Sequence, residues 1–261
     1  MLQIFSLKLT NPPLAVAAGE PIAIYGFMAV RGLSDSLRNY VFNRSRDDPF
    51  VIKDVNSDPF IQLSGPARGV NLQARAMLEY DMKVVRNGQG EEADDVPLIA
   101  GTAVFSNKAT GVFTHRITCA DRGGAAAEEM RRARFPRAAE ATVQIRIIEL
   151  AKHDGNGNGG LDLSITGFVP TFPEDTIMLF RGVVGDAPCE LRRFVVAYLI
   201  LRVEARGGDD AGSSSWARRA GKFAFRATVH GSITDRRKFD FATVEVKVTW
   251  SNIVTYPDDM M

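Results

Sequence analysis

The sequence predicts an all-β protein, an antiparallel β-sandwich of roughly 10 to 12 strands with one or two short helices. Two observations carry this prediction. Several segments alternate apolar and polar residues with the period of two that a half-buried strand requires. Turn-rich breaks such as "NGQGEEADD" and "GDAPC" separate them, and no alternating helical segments indicate a parallel α/β sheet.

The alternating segments recur along the whole chain. In "MLEYDMKV", Leu78, Tyr80 and Met82 fall on one side of an extended strand, and charged residues fall on the other. The same pattern occurs in "TVQIRII", "KFAFRATV" and "TVEVKVTW". Two more continuously apolar segments, "PIAIYGFMAV" and "FVVAYLIL", are typical of central strands covered on both faces.

Two segments are predicted to be helical. In "GGAAAEEMRRARF", Glu128 can pair with Arg131 and Arg132 at helical spacing before Pro136 ends the helix. A second short helix is predicted at "LSDSLRNY". The remainder of the chain reads as strands and loops.

The chain is predicted to form a single domain over residues 1–261, with a core over about 2–250 and a loose tail at 251–261. A hydrophobic content of 45% is sufficient for a substantial core. We see no internal repeat. The amino-terminal segment contains Lys8, Thr10 and Asn11 where a secretory signal needs an unbroken apolar region, so no signal is expected.

Charge and cysteine content narrow the classes of partner. The chain has 32 Lys and Arg against 31 Asp and Glu, so its overall field is weak. A nucleic-acid partner is therefore not expected, and no apolar run is long enough to span a membrane. Cys119 and Cys189 are too few for a disulfide scaffold or a zinc site. An intracellular location, cytoplasm or nucleus, is favoured.

One segment resembles a calcium loop. In "KHDGNGNGGLDLSI", Asp154, Asn156 and Asn158 occupy the first three ligand positions of such a loop, and Asp162 lies further along. Ile165 stands where the bidentate glutamate is required, and both flanking segments read as strands. We therefore predict a hairpin connection and no metal site.

Catalytic motifs are not evident. His115, His153 and His230 lack metal-ligand spacing, and no nucleophile elbow or phosphate-binding glycine loop occurs. The acidic cluster "EEADD" is explained by a solvated hairpin tip. No cofactor and no catalytic residue are predicted.

The densest combination of arginines and aromatic residues lies in "GFMAVRGLSDSLRNYVFNRSRDDPF" and "FIQLSGPARGV". Arginines interleaved with aromatic residues can hold a ligand by stacking and by charge. The same arginines can instead pair with Asp47, Asp48, Asp54 and Asp58 as scaffolding, and both interpretations remain open. The candidate binding residues are Arg31, Arg38, Tyr40, Arg44, Arg46 and Arg68.

These residues also carry a family resemblance. The segments "YGFMAVRG", "LRNYVFNRSRDDPF", "IQLSGPARGV", "LEYDMKV", "EATVQIRI", "LRRFVVA" and "ATVEVKVTWS" resemble the plant family called domain of unknown function 6598, which is expanded in grasses. The resemblance runs from about Leu2 to Trp250. It implies no catalytic residues, and it implies a loose association with ribosome-inactivating proteins.

Ribosome-inactivating enzymes use a glutamate and an arginine three residues apart on a helix. Here Glu128 with Arg131, or Glu129 with Arg132, has that spacing. The apolar continuation of the helix is absent, and Pro136 intervenes. Ordinary ion pairs on an exposed helix explain these residues better.

The sequence therefore favours a non-enzymatic binding module whose partner is a protein, in a plant stress or defence setting. One alternative is an accessory or degenerate ribosome-inactivating protein related to rRNA N-glycosylases. The other is a carbohydrate-binding sandwich, motivated by Trp216, Trp250, Tyr25 and Tyr40.

Overall fold

The computed structural model describes residues 1–12, 20–32, 36–72, 74–86, 95–108, 110–118, 127–135, 139–150, 161–169, 172–184, 189–196, 199–206, 219–228 and 230–251. The chain divides into two compact units, Met1–Arg137 and Ala138–Met261. The predicted single domain over 1–261 stays a prediction, and within it the structure distinguishes these two units.

Within the described residues, unit 1 contains nine strands, which form two antiparallel sheets. One sheet has the order β5-β1-β9-β8 and the other the order β3-β2-β6-β7, with β4 paired to β2. The strands are β1 (Leu2–Asn11), β2 (Ile22–Gly32), β3 (Asn39–Arg44), β4 (Phe50–Ile52), β5 (Phe60–Ile61), β6 (Arg75–Val84), β7 (Val96–Ser106), β8 (Gly111–Thr118) and β9 (Ala127–Arg134).

The core of unit 1 is built from the inward side chains of both sheets. Alternate residues of a strand point to opposite faces, so each strand contributes every second side chain. Leu7 and Leu9 of β1 and Ile24 and Met28 of β2 are almost fully buried in one hydrophobic cluster.

In the part of the chain that the structure describes, unit 2 contains eight strands, again in two antiparallel sheets. Their orders are β13-β10-β17-β16 and β12-β11-β14-β15. Val244, Val246, Val248 and Trp250 of the central strand β17 are all buried, as their alternation predicts. The strands are β10 (Glu140–Leu150), β11 (Leu161–Val169), β12 (Phe172–Val184), β13 (Cys189–Val196), β14 (Leu199–Arg206), β15 (Arg219–Phe225), β16 (Gly231–Lys238) and β17 (Ala242–Ser251).

The two units have the same strand order. In each unit, the first strand pairs with the last strand in the middle of one sheet. The second strand along the chain belongs to the other sheet, where it also lies in the middle. When β4 is set aside, unit 1 and unit 2 correspond strand for strand: β5-β1-β9-β8 matches β13-β10-β17-β16, and β3-β2-β6-β7 matches β12-β11-β14-β15. The chain therefore contains a topological repeat that its sequence does not display.

The prediction of an all-β antiparallel sandwich is confirmed, with more strands than the predicted number. The predicted helices are wrong for the described residues. Ala127–Arg134 is strand β9, and Asn39 and Tyr40 begin β3. No helix that could span a membrane occurs in the part of the chain that the structure describes.

Two connections also differ from prediction. The hairpin predicted between β10 and β11 is wrong, because the two strands belong to different sheets. The segment "FVVAYLIL" is not one central strand, since it contains the end of β13 and the start of β14, which also lie in different sheets. Ser251, which the predicted tail includes, is the last residue of β17.

Candidate functional site

The candidate site lies on the outer face of the sheet β3-β2-β6-β7. The pairing registers place Tyr40 beside Ala29 and Ala29 beside Glu79, so these three residues form one row across three strands. The alternating pattern of β2 sends Ile24, Met28 and Val30 into the core and leaves Phe27 and Arg31 on the outer face.

Five side chains form the Tyr40 face, which consists of Phe27, Arg31, Arg38, Tyr40 and Glu79. The guanidinium carbon of Arg38 lies 4.4 Å from the centroid of the Phe27 ring. The Phe27 and Tyr40 rings meet edge to face with centroids 6.1 Å apart. Both geometries are favourable for aromatic rings, so these contacts orient Phe27, Arg38 and Tyr40 with respect to one another.

Glu79 holds the two arginines of the Tyr40 face. Arg38 donates through Nε to Oε2 at 2.7 Å, and Arg31 Nε lies 3.1 Å from Oε1. These contacts, with that of Arg38 as the largest, hold the pKa of Glu79 below its usual range. Two arginines thus share one carboxylate, and both remain partly exposed to solvent.

Arg68 lies outside this face and fixes the segment that leads into it. Its Nη2 donates to the carbonyl of Leu37 at 3.1 Å. Its own carbonyl accepts from Asn39 Nδ2 at 2.7 Å, and Asn39 Oδ1 accepts from the amide of Ala67. Because Asn39 is buried, these hydrogen bonds anchor the turn around Ala67 to the first residue of β3. Leu37, which precedes β3, is 71% exposed.

Arg44 is the last residue of β3, and the pairing register places it opposite Gly26 of β2. Its Nη1 donates to Asp48 Oδ2 at 2.6 Å, and Asp48 is largely exposed. Arg44 is four positions from Tyr40 along β3, which corresponds to roughly 13 Å of regular strand. Its ion pair is with Asp48, whereas Arg31 and Arg38 pair with Glu79.

Arg46 belongs to a structural network beyond the end of β3. Asp95 is buried and accepts from Arg46 Nε at 2.7 Å, from the Tyr25 hydroxyl at 2.8 Å and from the Arg86 amide at 3.2 Å. The Arg46 hydrogen bond is the largest of the causes that lower the pKa of Asp95 to about 2. This carboxylate fastens three segments of unit 1 and is not available to a ligand.

The scaffolding interpretation named different partners. Among the predicted acids, Asp48 does pair with an arginine, whereas Asp54 accepts from the amide of Asn56 in its own turn. The acids that hold Arg38 and Arg46 are Glu79 and Asp95, which were not among the predicted partners. Glu79 lies on the polar side of an alternating strand, and that position was the available signal.

No group of three or more potential metal ligands occurs among the described residues. The loop with Asp154, Asn156 and Asn158 lies outside them, as do Cys119, His153, Trp216 and most of the acidic cluster Glu91–Asp95. Of the other histidines, His115 lies on β8 of unit 1, and His230 precedes β16 of unit 2.

The two alternative functions find little support in the geometry. Glu128 and Arg131 lie three apart on strand β9, which places them on opposite faces, and the same holds for Glu129 and Arg132. Neither pair can act together. Of the aromatic residues that motivated carbohydrate binding, Trp250 and Tyr25 are buried, and Tyr40 remains at the surface.

A family model described as Domain of unknown function (DUF6598) matches residues 1–248. The chain belongs to this family. The DUF6598 match spans both units, and it agrees with the resemblance seen in the sequence. No curated protein matches the chain.

Several solved structures align with this DUF6598 chain at low similarity. Human GIVD cytosolic phospholipase A2 is 10% identical over 95% of this chain and 32% of that chain, with a TM-score of 0.28. A C2 domain protein from Ramazzottius varieornatus is 14% identical over 48% of this chain and 95% of that chain, with a TM-score of 0.25. A structure of two C2 domains of Extended-Synaptotagmin 2 is 9% identical over 95% of this chain and 89% of that chain, with a TM-score of 0.26. Similarity at this level supports no conclusion about fold or activity.

Proposed function

We propose that this protein is a non-enzymatic binding module that recognises a protein partner through the Tyr40 face. The observation that carries the proposal is the pairing of Tyr40 and Phe27 with two partly exposed arginines on one carboxylate. Tyrosine and arginine are the residues most enriched at the energetic centres of protein interfaces.

The chemistry of the face defines the partner. Arg31 and Arg38 outnumber Glu79, so a segment with a carboxylate can take over part of the arginine hydrogen bonding. Tyr40 is 36% exposed and Leu37 precedes Arg38 at the surface, so an apolar or aromatic side chain has surface to cover. The proposed partner is an acidic protein segment with an apolar anchor, and the resemblance to a grass-expanded family motivates a search in grass tissue for a role in stress or defence.

The test is a quantitative pull-down from grass leaf extract followed by binding of the purified partner. Tyr40→Ala and Arg38→Ser should each weaken the affinity for that partner by about tenfold or more, which is the effect of removing a central interface residue. Arg44→Glu is the matched control, because Arg44 is a partly exposed arginine of β3 that pairs with Asp48 instead of Glu79. Arg46 is left unchanged because it holds buried Asp95.

The proposal fails if the purified partner binds Tyr40→Ala and Arg38→Ser as tightly as the wild type. It also fails if Arg44→Glu abolishes binding equally, since that result indicates general attraction to a basic surface. Circular dichroism spectra of the variants exclude loss of fold as the cause.

A further inference from the structure

Arg132 is a buried arginine of unit 1 that has no carboxylate partner among the described residues. It lies on β9 and is 7% exposed. Its guanidinium carbon lies 4.2 Å from the centroid of the Phe105 ring and 4.9 Å from that of Phe113. Its Nε donates to His115 Nε2 at 2.9 Å. Within the described part of the chain, the other N–H groups of this guanidinium have no hydrogen-bond acceptor.

His115 does not compensate the charge. Burial lowers the pKa of its imidazole, and the charge of Arg132 lowers it further. A neutral imidazole accepts the hydrogen bond from Arg132, but it carries no negative charge. The two phenyl rings contribute only cation–π attraction. This attraction offsets only part of the free-energy cost of removing the charged guanidinium from water.

Arg134 adds a second positive charge on the same side of β9. Two residues along a strand are roughly 7 Å apart and point to the same face. The Nε of Arg134 is buried and has no hydrogen-bond partner among the described residues. Glu128 shares that face but lies four residues from Arg132, roughly 13 Å along the strand, where burial keeps it protonated at neutral pH.

There is room beside Arg134. Its neighbour across the sheet on β8 is Gly111, and a Cβ atom added to that glycine meets nothing within 4 Å. Strand β8 is the edge of its sheet and β7 is the edge of the other sheet of unit 1. Arg134 therefore lies beside open space at an edge strand of its sheet, where a small ligand can approach it.

We propose that Arg132 and Arg134 form a binding site for a phosphate group, either free or as a small monoester. Guanidinium groups match the oxygen atoms of phosphate with paired hydrogen bonds and remain charged at every physiological pH. Phe105, Phe113 and His115 hold Arg132 in place, so the site is organised before the ligand arrives. This site is independent of the Tyr40 face.

The experiment titrates the full chain separately with inorganic phosphate and with glycerol 3-phosphate, against chloride at matched ionic strength. Binding is followed by the backbone amide signals in nitrogen-15 correlation spectra. Saturable shifts should appear at residues 111–115 and 132–134. A response to both ligands or to inorganic phosphate alone identifies a free-phosphate site, and a response to the monoester alone identifies a phosphorylated metabolite as the ligand class.

Arg134→Gln should weaken the affinity for phosphate by about tenfold or more, which is the loss expected when a charge-assisted hydrogen bond is removed. Arg131→Gln is the control, because it removes an arginine from the other face of the same strand, and it should leave the affinity unchanged. The site is refuted if neither ligand produces saturable shifts, if chloride produces the same shifts, or if the shifts lie elsewhere, for example on the Tyr40 face. The mapping on the wild-type chain decides the question even if Arg134→Gln fails to fold.

Discussion

Glu128 lies inside unit 1 with its side chain fully shielded from solvent, and neither carboxyl oxygen has a hydrogen-bond partner among the described residues. Its neighbours across the sheet are Leu9 and Ile117, which are both apolar and buried. Burial raises the pKa of this carboxyl group to about 8. The group is therefore a neutral acid in the folded protein at pH 7.

A raised pKa makes the stability of unit 1 depend on pH. Between the ordinary value of 4.5 and about 8, the unfolded chain loses the proton while the folded chain retains it. The free energy of unfolding therefore falls as pH rises through this interval, by about 5 kcal/mol at 1.36 kcal/mol for each pKa unit. Glu128→Gln should remove this decline, because glutamine does not titrate, and urea unfolding at pH 4.5, 6 and 8 measures the difference.

The matched control is Glu129→Gln, which changes the adjacent residue on the opposite face of β9. It should retain the wild-type decline between pH 4.5 and 8. An identical pH dependence for wild type and Glu128→Gln would show that the carboxyl group is solvated in the folded state.

The roles of individual side chains could not be predicted from the sequence, because residues of the same type have different surroundings in the structure. Arg38 and Arg46 are indistinguishable in the sequence, yet one forms part of an exposed face and the other holds a buried aspartate. Their partners are 41 and 49 residues away along the chain. Only the strand pairing brings them together, so their roles could not be separated beforehand.

Strand β9 shows how tertiary pairing overrides local preference. The segment "AEEMRRAR" is rich in residues with high helix propensity, and charges occur on both sides of any alternation. In the structure it pairs with β1 on one side and β8 on the other, so both rows of backbone groups are satisfied by neighbours. The strands that do alternate cleanly, such as β6 and β17, were predicted correctly because one face of each is buried.

The second strand depends on one glycine. Gly26 has a φ of 106°, and a Cβ atom there would clash with the backbone oxygen of Asp81 on β6. Gly26→Ala should lower the free energy of unfolding by about 3 kcal/mol or more, since strain in φ adds to a displacement of the strand. Gly111→Ala separates the two contributions, because Gly111 has a φ of 111° but an unobstructed Cβ position.

We expect Gly111→Ala to cost about 1 to 2 kcal/mol, the contribution of φ alone. Urea denaturation of both variants provides the measurement. Equal losses in the two variants would mean that β2 and β6 separate at little cost, which would contradict the close pairing of these strands.

On the scale of the whole molecule, each unit has the features of an independent folding unit. Among the described residues, the strands of each sheet come from one unit, and the hydrophobic cluster of unit 1 is built from residues of that unit. A fragment of residues 1–137 should therefore fold alone and unfold cooperatively, and urea unfolding followed by circular dichroism measures this. A fragment that stays unfolded while the full chain is folded would show that unit 1 requires unit 2.

The division into two units could not be predicted from the sequence. The units share a strand order, but their sequences show no visible repeat that would mark the boundary. Alternation identifies a strand, but it does not specify which sheet the strand joins. For this reason the predicted hairpin of β10 and β11 is wrong, since the chain crosses from one sheet to the other between them.

The pairing of first and last strands has a consequence for biosynthesis. Leu2 of β1 pairs with Arg134 of β9, so the sheet containing β1 lacks its central partner until nearly the whole unit has been translated. Contacts so distant in sequence form slowly, since a long loop must close first. During this interval an emerging chain carries β1 with an unpaired edge, which invites association with other chains. The same order of synthesis applies to unit 2, where β10 pairs with β17.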